Sequence, residues 1–288
     1  MADSAAAVLH DGTTIPITVQ GDGPALLVPA RLEPYSPAEA ETMRLWGGDP
    51  DLGPNLVKGL AGSNRVIVAD YEGHRIAHPA PETLTPANVA ADLLAVADAA
   101  GADVFGYYGY SWLALSGLQL AIRTDRLRAL AMGGFPPLDG PYKSMLAVTR
   151  TAHSASTSQE TDPAEAPALE AEPGDWDSAG IQTNPAQTQQ FVTLYEALQD
   201  FDDFSAAIPR NVPRLAFAGA EDRIDYGPNW GDVQVRIGDP LVEHKGTLIK
   251  AGWDVQILPG LDHLGAMQSS VVLPILSRWL QKVGWVRD

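Results

Sequence analysis

Residues 106–121, GYYGYSWLALSGLQLA, place Ser111 between Tyr110 and Trp112, two positions after Gly109. Upstream, DVFGYY at 103–108 is a short apolar run suited to a strand buried on both faces. Downstream, WLALSGLQLAIR is apolar nearly all round, the composition of a buried helix. Ser111 therefore falls at a strand-to-helix turn, where its hydroxyl has two uses. It can accept a backbone N–H and cap the new helix, or the sharp turn can lift its Oγ above the sheet as a nucleophile, as in G-x-S-x-G. Leu113 stands where that pattern has its second glycine.

Similar apolar runs recur along the chain: ALLVP at 25–29, RVIVAD at 65–70, LRALAM at 127–132, RLAFAG at 214–219 and DVQILP at 254–259. AVLHDGTTIPITVQ at 7–20 has the pattern of a hairpin turning at Asp11-Gly12. Pro86 to Ala100 has the pattern of a helix, with Thr85 as N-cap, Val89, Leu93, Val96 and Ala97 on one face and Gly101 past its end. Strands alternating with helices predict an α/β fold with a mainly parallel sheet covered on both faces. One stretch breaks the rhythm. SASTSQETDPAEAPALEAEPGD, at 154–175, is acidic and rich in Ala and Pro, and NPAQTQQFVTLYEALQDF, at 184–201, shows helical spacing behind Asn184 and Pro185. The expected division is a core of 1–138 and 214–288 with an inserted cap at 139–213. An insertion this long acts as a lid over a site or as an acidic linker around one packed helix.

The composition excludes several roles. Lys plus Arg number 19 against 36 Asp plus Glu, a net charge of −17 that repels nucleic-acid phosphates and anionic membrane surfaces. No apolar run approaches membrane-spanning length, and the opening MADSAAAVLHDG has no legible secretory signal, which leaves the cytoplasm as the default expectation. With no cysteine and six scattered histidines, neither a thiolate site nor a metal centre is expected, and no cofactor is implied. The expected partner is a small-molecule substrate; the oligomeric state is not legible.

A nucleophilic serine needs a base, and the base needs a group that holds its tautomer. LPGLDHLGAM, after the last strand, offers His263 on a Gly-bounded loop, and AFAGAEDRIDYGP, after the preceding one, offers Asp222. Ser111, Asp222 and His263 all fall beyond the carboxyl ends of strands, where open α/β sheets bind ligands. Asp139, Glu221 and Asp225 are rival acids. His10, His78, His153 and His244 lack such a context and are expected to be structural.

With the N-terminal hairpin, RVIVADYEGHRIAHP, GYSWL, GAED and GLDH in this order, the chain resembles the α/β-hydrolase fold superfamily over nearly its whole length. The resemblance implies a Ser-His-acid hydrolase, a carboxylic ester hydrolase above all, with an inserted cap after the sixth strand. Ser111 would be the nucleophile, His263 the base and then the acid, and Asp222 the orienting carboxylate. The oxyanion donors would be the backbone N–H groups of Trp112 and Arg31. Many members carry His-Gly where this chain has Pro29-Ala30, and proline has no N–H to give. Tyr35, Tyr110 and Trp46 are candidate pocket residues, although aromatics beside apolar runs also serve as core. The expected substrate is a small, uncharged ester or lactone cleaved through an acyl-enzyme. The same constellation also serves thioesters, amides and carbon–carbon bonds. Leu113 and the missing His-Gly leave room for a slow or inactive ligand-binding member of the fold.

Overall fold

β5 (Phe105–Tyr110) is buried at all six positions and lies inside an eight-stranded sheet. The computed structural model describes residues 3–161, 174–176 and 184–287. The sheet takes the order β1 (Asp3–Val8), β2 (Thr14–Gln20), β4 (Arg65–Val68), β3 (Ala25–Val28), β5, β6 (Leu127–Gly133), β7 (Arg214–Gly219) and β10 (Trp253–Leu258). The β1–β2 hairpin is antiparallel, β2 joins β4 antiparallel, and every other neighbouring pair is parallel. Each predicted apolar run is one of these strands.

Side-chain alternation divides the strands between two apolar layers. On one face, Leu26, Val28, Val66 and Val68 pack with Leu56 and Leu60 of α2 (Leu52–Leu60) and with Val272, Leu276 and Trp279 of the C-terminal helix (Ser269–Lys282). On the other, Leu27, Ile67, Leu130 and Met132 pack with α4 (Pro86–Ala99) and α5 (Trp112–Ala121). α4 begins as predicted: Thr85 accepts the N–H of Asn88, Pro86 follows, and Val89, Leu93, Val96 and Ala97 are buried. α1 (Pro37–Leu45) and α3 (Tyr71–Ala77) complete the first half. Between β7 and β10 the chain adds a separate hairpin of β8 (Arg223–Tyr226) and β9 (Val233–Arg236), then α8 (Gly238–Glu243) and α9 (Lys245–Lys250).

The insertion between β6 and β7 departs from its predicted irregularity. α6 runs from Tyr142 to Thr161, so the first part of the polar stretch is helical. Its hydroxyls satisfy themselves along the helix: Ser156 and Thr157 donate to the His153 carbonyl, and Ser158 donates to that of Ser154. α7 (Pro185–Glu196) starts where expected, with a reciprocal capping box between Asn184 and Gln187. α7 is docked rather than loosely tethered. Gln187 donates to the Ile76 carbonyl at 2.7 Å, and Gln190 donates to that of Arg75 and accepts the N–H of Ala80. The acidic part of the insertion, 162–173, lies outside the described residues, as does the lid role expected of it. Among the described residues, no helix is long and apolar enough to cross a membrane.

Candidate active site

β5 ends at Tyr110 and α5 begins at Trp112, leaving one residue to reverse the chain. Ser111 does so at φ 56° and ψ −130°, a conformation that costs energy for any residue with a Cβ. It persists because its backbone is held on both sides: its N–H donates to the Gly133 carbonyl at 2.8 Å, and its own carbonyl accepts the N–H groups of Ala114 and Leu115. The capping alternative fails, since the hydroxyl makes no capping bond. Leu113 is buried in the core beside the elbow. Its carbonyl accepts the Tyr107 hydroxyl at 2.8 Å, and the room Tyr107 needs comes from Gly109 and Gly117, where added Cβ atoms would lie 2.9 Å and 2.6 Å from its ring.

β7 and β10 bring the other two groups together. Gly219 ends β7 so close to the next loop that an added Cβ would lie 1.9 Å from the Leu261 carbonyl oxygen. Asp222 follows, 1% exposed, and both its carboxylate oxygens lie 3.0 Å from His263 Nδ1. A carboxylate there holds the Nδ1–H tautomer and leaves Nε2 free to accept a proton. Tyr110 fixes the histidine from below: its hydroxyl donates to the His263 carbonyl at 2.7 Å, and the two rings are 5.2 Å apart. Ser111 and His263 line the same two cavities. The Ser111 hydroxyl makes no hydrogen bond among the described residues, so the serine–histidine link is open in this structure.

One cavity, of about 630 Å3, carries Arg31, Tyr35, Tyr110 and Trp112 on its wall together with Asp49, Asp70 and Glu72. The other, of about 200 Å3, is lined chiefly by Phe135, Met145, Trp176, Tyr195, Ile224 and Tyr226. The backbone N–H groups of Trp112 and Arg31 make no backbone hydrogen bond among the described residues, as oxyanion donors require. The Arg31 side chain is occupied elsewhere: Nε donates to the Glu33 carbonyl at 2.9 Å, and the guanidinium lies 4.4 Å from the Tyr35 ring centre. Trp46 is not on either wall; its ring meets Trp176 edge-on at 5.4 Å.

None of the rival acids bonds His263 among the described residues. Asp139 is 3.7 Å from His244, at an exposed grouping with Glu243, and Asp225 accepts from Gln234. His10 is paired with Asp92, His74 bonds Thr13, and His153 bonds Thr188, each in a structural setting. Sequence reasoning missed Glu72, which accepts the Trp112 Nε1–H at 2.7 Å and faces the larger cavity. Its signal was its place just past β4, at the carboxyl edge of the sheet. The Glu72 side chain is open to the cavity; the protein surrounding it pushes its carboxyl above the usual range, the Trp112 hydrogen bond works against that, and Asp70 adds to it.

No protein-family model matches the chain, and no curated protein matches it. Solved structures do. An esterase from Thermogutta terrifontis is 18% identical over 98% of this chain and 99% of its own, with a TM-score of 0.60. Epoxide hydrolase A from Mycobacterium thermoresistibile is 16% identical over 98% of both chains, with a TM-score of 0.62. An enol-lactonase from Burkholderia xenovorans is 17% identical over 96% and 99%, with a TM-score of 0.60. Such identities speak for architecture and leave the chemistry open. The eight-stranded sheet, its helical layers and these near full-length superpositions establish that the chain has the α/β-hydrolase fold.

Proposed function

We propose that the protein is a serine hydrolase that cleaves a small ester or lactone through an acyl-enzyme on Ser111. The supporting observation is the buried Asp222 carboxylate 3.0 Å from His263 Nδ1, with His263 and Ser111 on shared cavity walls. His263 Nε2 takes the Ser111 proton as Oγ attacks the acyl carbon. The carbonyl oxygen becomes an oxyanion that the Trp112 and Arg31 N–H groups stabilise, and Asp222 balances the imidazolium. Collapse of the tetrahedral intermediate expels the alcohol with the proton from His263. Water activated by the same imidazole then releases the acid.

The identity of the nucleophile bears on the class of bond cleaved. A carboxylate opening an epoxide forms an ester that water can cleave, whereas a serine would form an ether with no carbonyl to attack. Ser111 therefore favours acyl chemistry over epoxide opening. The smaller cavity suits an apolar group: its roughly 200 Å3 exceeds the approximately 150 Å3 that admits benzene in an engineered apolar cavity. Beside Leu113 and the missing His-Gly, the open link between Ser111 and His263 favours a slow or ligand-binding member. Catalytic hydrogen bonds are often long in a free enzyme and tighten on binding substrate.

The test separates the two acids. Asp222→Asn should lower kcat on p-nitrophenyl butyrate by about 10⁴-fold, because the amide favours the wrong imidazole tautomer. Asp139→Asn, beside His244, should stay within about threefold. The reverse ranking would place the orienting acid after β6 and remove the proposed triad.

A further inference from the structure

The wall of the larger cavity is acidic, and its carboxylates are not equivalent. Asp49 is spent on backbone donors, accepting the N–H groups of Asp51 and Ser269, and Asp70 caps α3 by accepting that of Gly73. Glu72 gives Oε1 to the Trp112 indole and has no ion-pair partner among the described residues. Arg31, the cation on the same wall, is turned to the Glu33 carbonyl and the Tyr35 ring. Folding therefore holds a carboxylate on the wall of the cavity that Ser111 and His263 also line, without an ion-pair partner among the described residues.

Glu72 is also firmly placed. α3 is tied to the β1–β2 turn through Arg75, which donates to Asp11 at 2.8 Å and Thr13 at 2.9 Å, and to α4 through Tyr71, which donates to Asp92 at 2.7 Å. Gln187 and Gln190 fasten α7 to the same helix. The indole that orients Glu72 belongs to Trp112, whose backbone N–H is a proposed oxyanion donor, so the carboxylate is registered to the reacting centre through one residue. Its side chain is open to the cavity, so a cationic group lying there can reach the carboxylate.

We infer that Glu72 determines specificity by binding an ammonium group of the substrate, which makes an amino-substituted ester the preferred class. The inference rests on the serine-hydrolase reading for its chemistry but not for its binding. It replaces the uncharged substrate expected from sequence.

Two esters of one shape test it: 2-(dimethylamino)ethyl butyrate, protonated at neutral pH, and 3-methylbutyl butyrate, its carbon isostere. A charge-assisted hydrogen bond predicts that kcat/KM favours the cationic ester by about 10- to 100-fold, chiefly through KM. In Glu72→Gln, which can still accept the Trp112 N–H, the ratio should fall to within about threefold of unity. Calorimetric binding of the same two esters to Ser111→Ala reads the preference without turnover and should show the same order. A preference in binding with no turnover by the wild type supports the role of Glu72 and removes the hydrolase reading. Turnover with a ratio near unity, or a ratio that survives Glu72→Gln, overturns the inference and leaves the hydrolase reading standing.

Discussion

Gly109 allows α5 to turn back over β5, because a Cβ there would lie 2.3 Å from the Leu113 carbonyl oxygen. That carbonyl cannot yield easily, since it holds the Tyr107 hydroxyl in a fully buried setting. Gly109→Ala is therefore expected to cost about 3 kcal/mol by overpacking and to disturb the elbow. Gly246→Ala, at a helical site with nothing within 4 Å of the added carbon, should be neutral or stabilising. Urea denaturation compares the two; equal midpoints would show that the elbow is less tightly packed than described. The serine-bearing turn was legible because strand, serine and apolar helix are contiguous in sequence. The fit of Leu113 and the role of Glu72 were not. The first depends on how Tyr107, which bonds the Leu113 carbonyl, packs against Gly109 and Gly117, and the second on Trp112, forty residues away, so neither leaves a local pattern.

α3 shows how an element with little core of its own is held by polar contacts. Arg75 is 0% exposed and pairs with Asp11 in the β1–β2 turn. Against the cost of burial, hydrogen bonds from Thr13 and Arg75 hold the Asp11 carboxyl well below the usual carboxylate range. A depressed carboxyl contributes stability that is full above its unfolded pKa and is lost as pH falls toward the folded value. Asp11→Ala should thus cost roughly 3 kcal/mol at neutral pH by leaving a buried guanidinium unpaired. The difference from wild type should shrink as the pH is lowered through 4, a trend that urea titrations at several pH values measure; a constant difference would mean the ion pair adds nothing. Among the elements, strands were legible wherever an apolar run was buried on both faces, and α4 and α7 wherever a cap, a proline and an apolar face coincided. α6 was hidden because its serines and threonines are poor helix formers that succeed here by bonding their own backbone. The β8–β9 hairpin was hidden because its strands are short and carry Arg223, Asp225, Gln234 and Arg236 at alternating exposed positions.

At the scale of the whole molecule, strand order assembles the site. β5, β6, β7 and β10 are consecutive neighbours in the sheet, so the loops after β5, β7 and β10 open on one edge and bring Ser111, Asp222 and His263 together from positions far apart in sequence. α6 and α7 roof the smaller cavity with Met145 and Tyr195, and α3 walls the larger one with Glu72, so the fold offers one apolar and one acidic side to a molecule lying across Ser111. The net charge of −17 gives the molecule a field that draws cations toward it, in keeping with an acidic wall. Reaction with a fluorophosphonate reports whether Ser111 is activated. The phosphonyl group is captured only where a base deprotonates the hydroxyl and an oxyanion hole receives the phosphoryl oxygen. The wild-type protein should be labelled once, on the peptide containing GYSWLALSG, and labelling should vanish in Ser111→Ala and fall steeply in His263→Ala. A folded wild-type protein that takes no label, or labelling that persists in Ser111→Ala, would rule out Ser111 as the nucleophile.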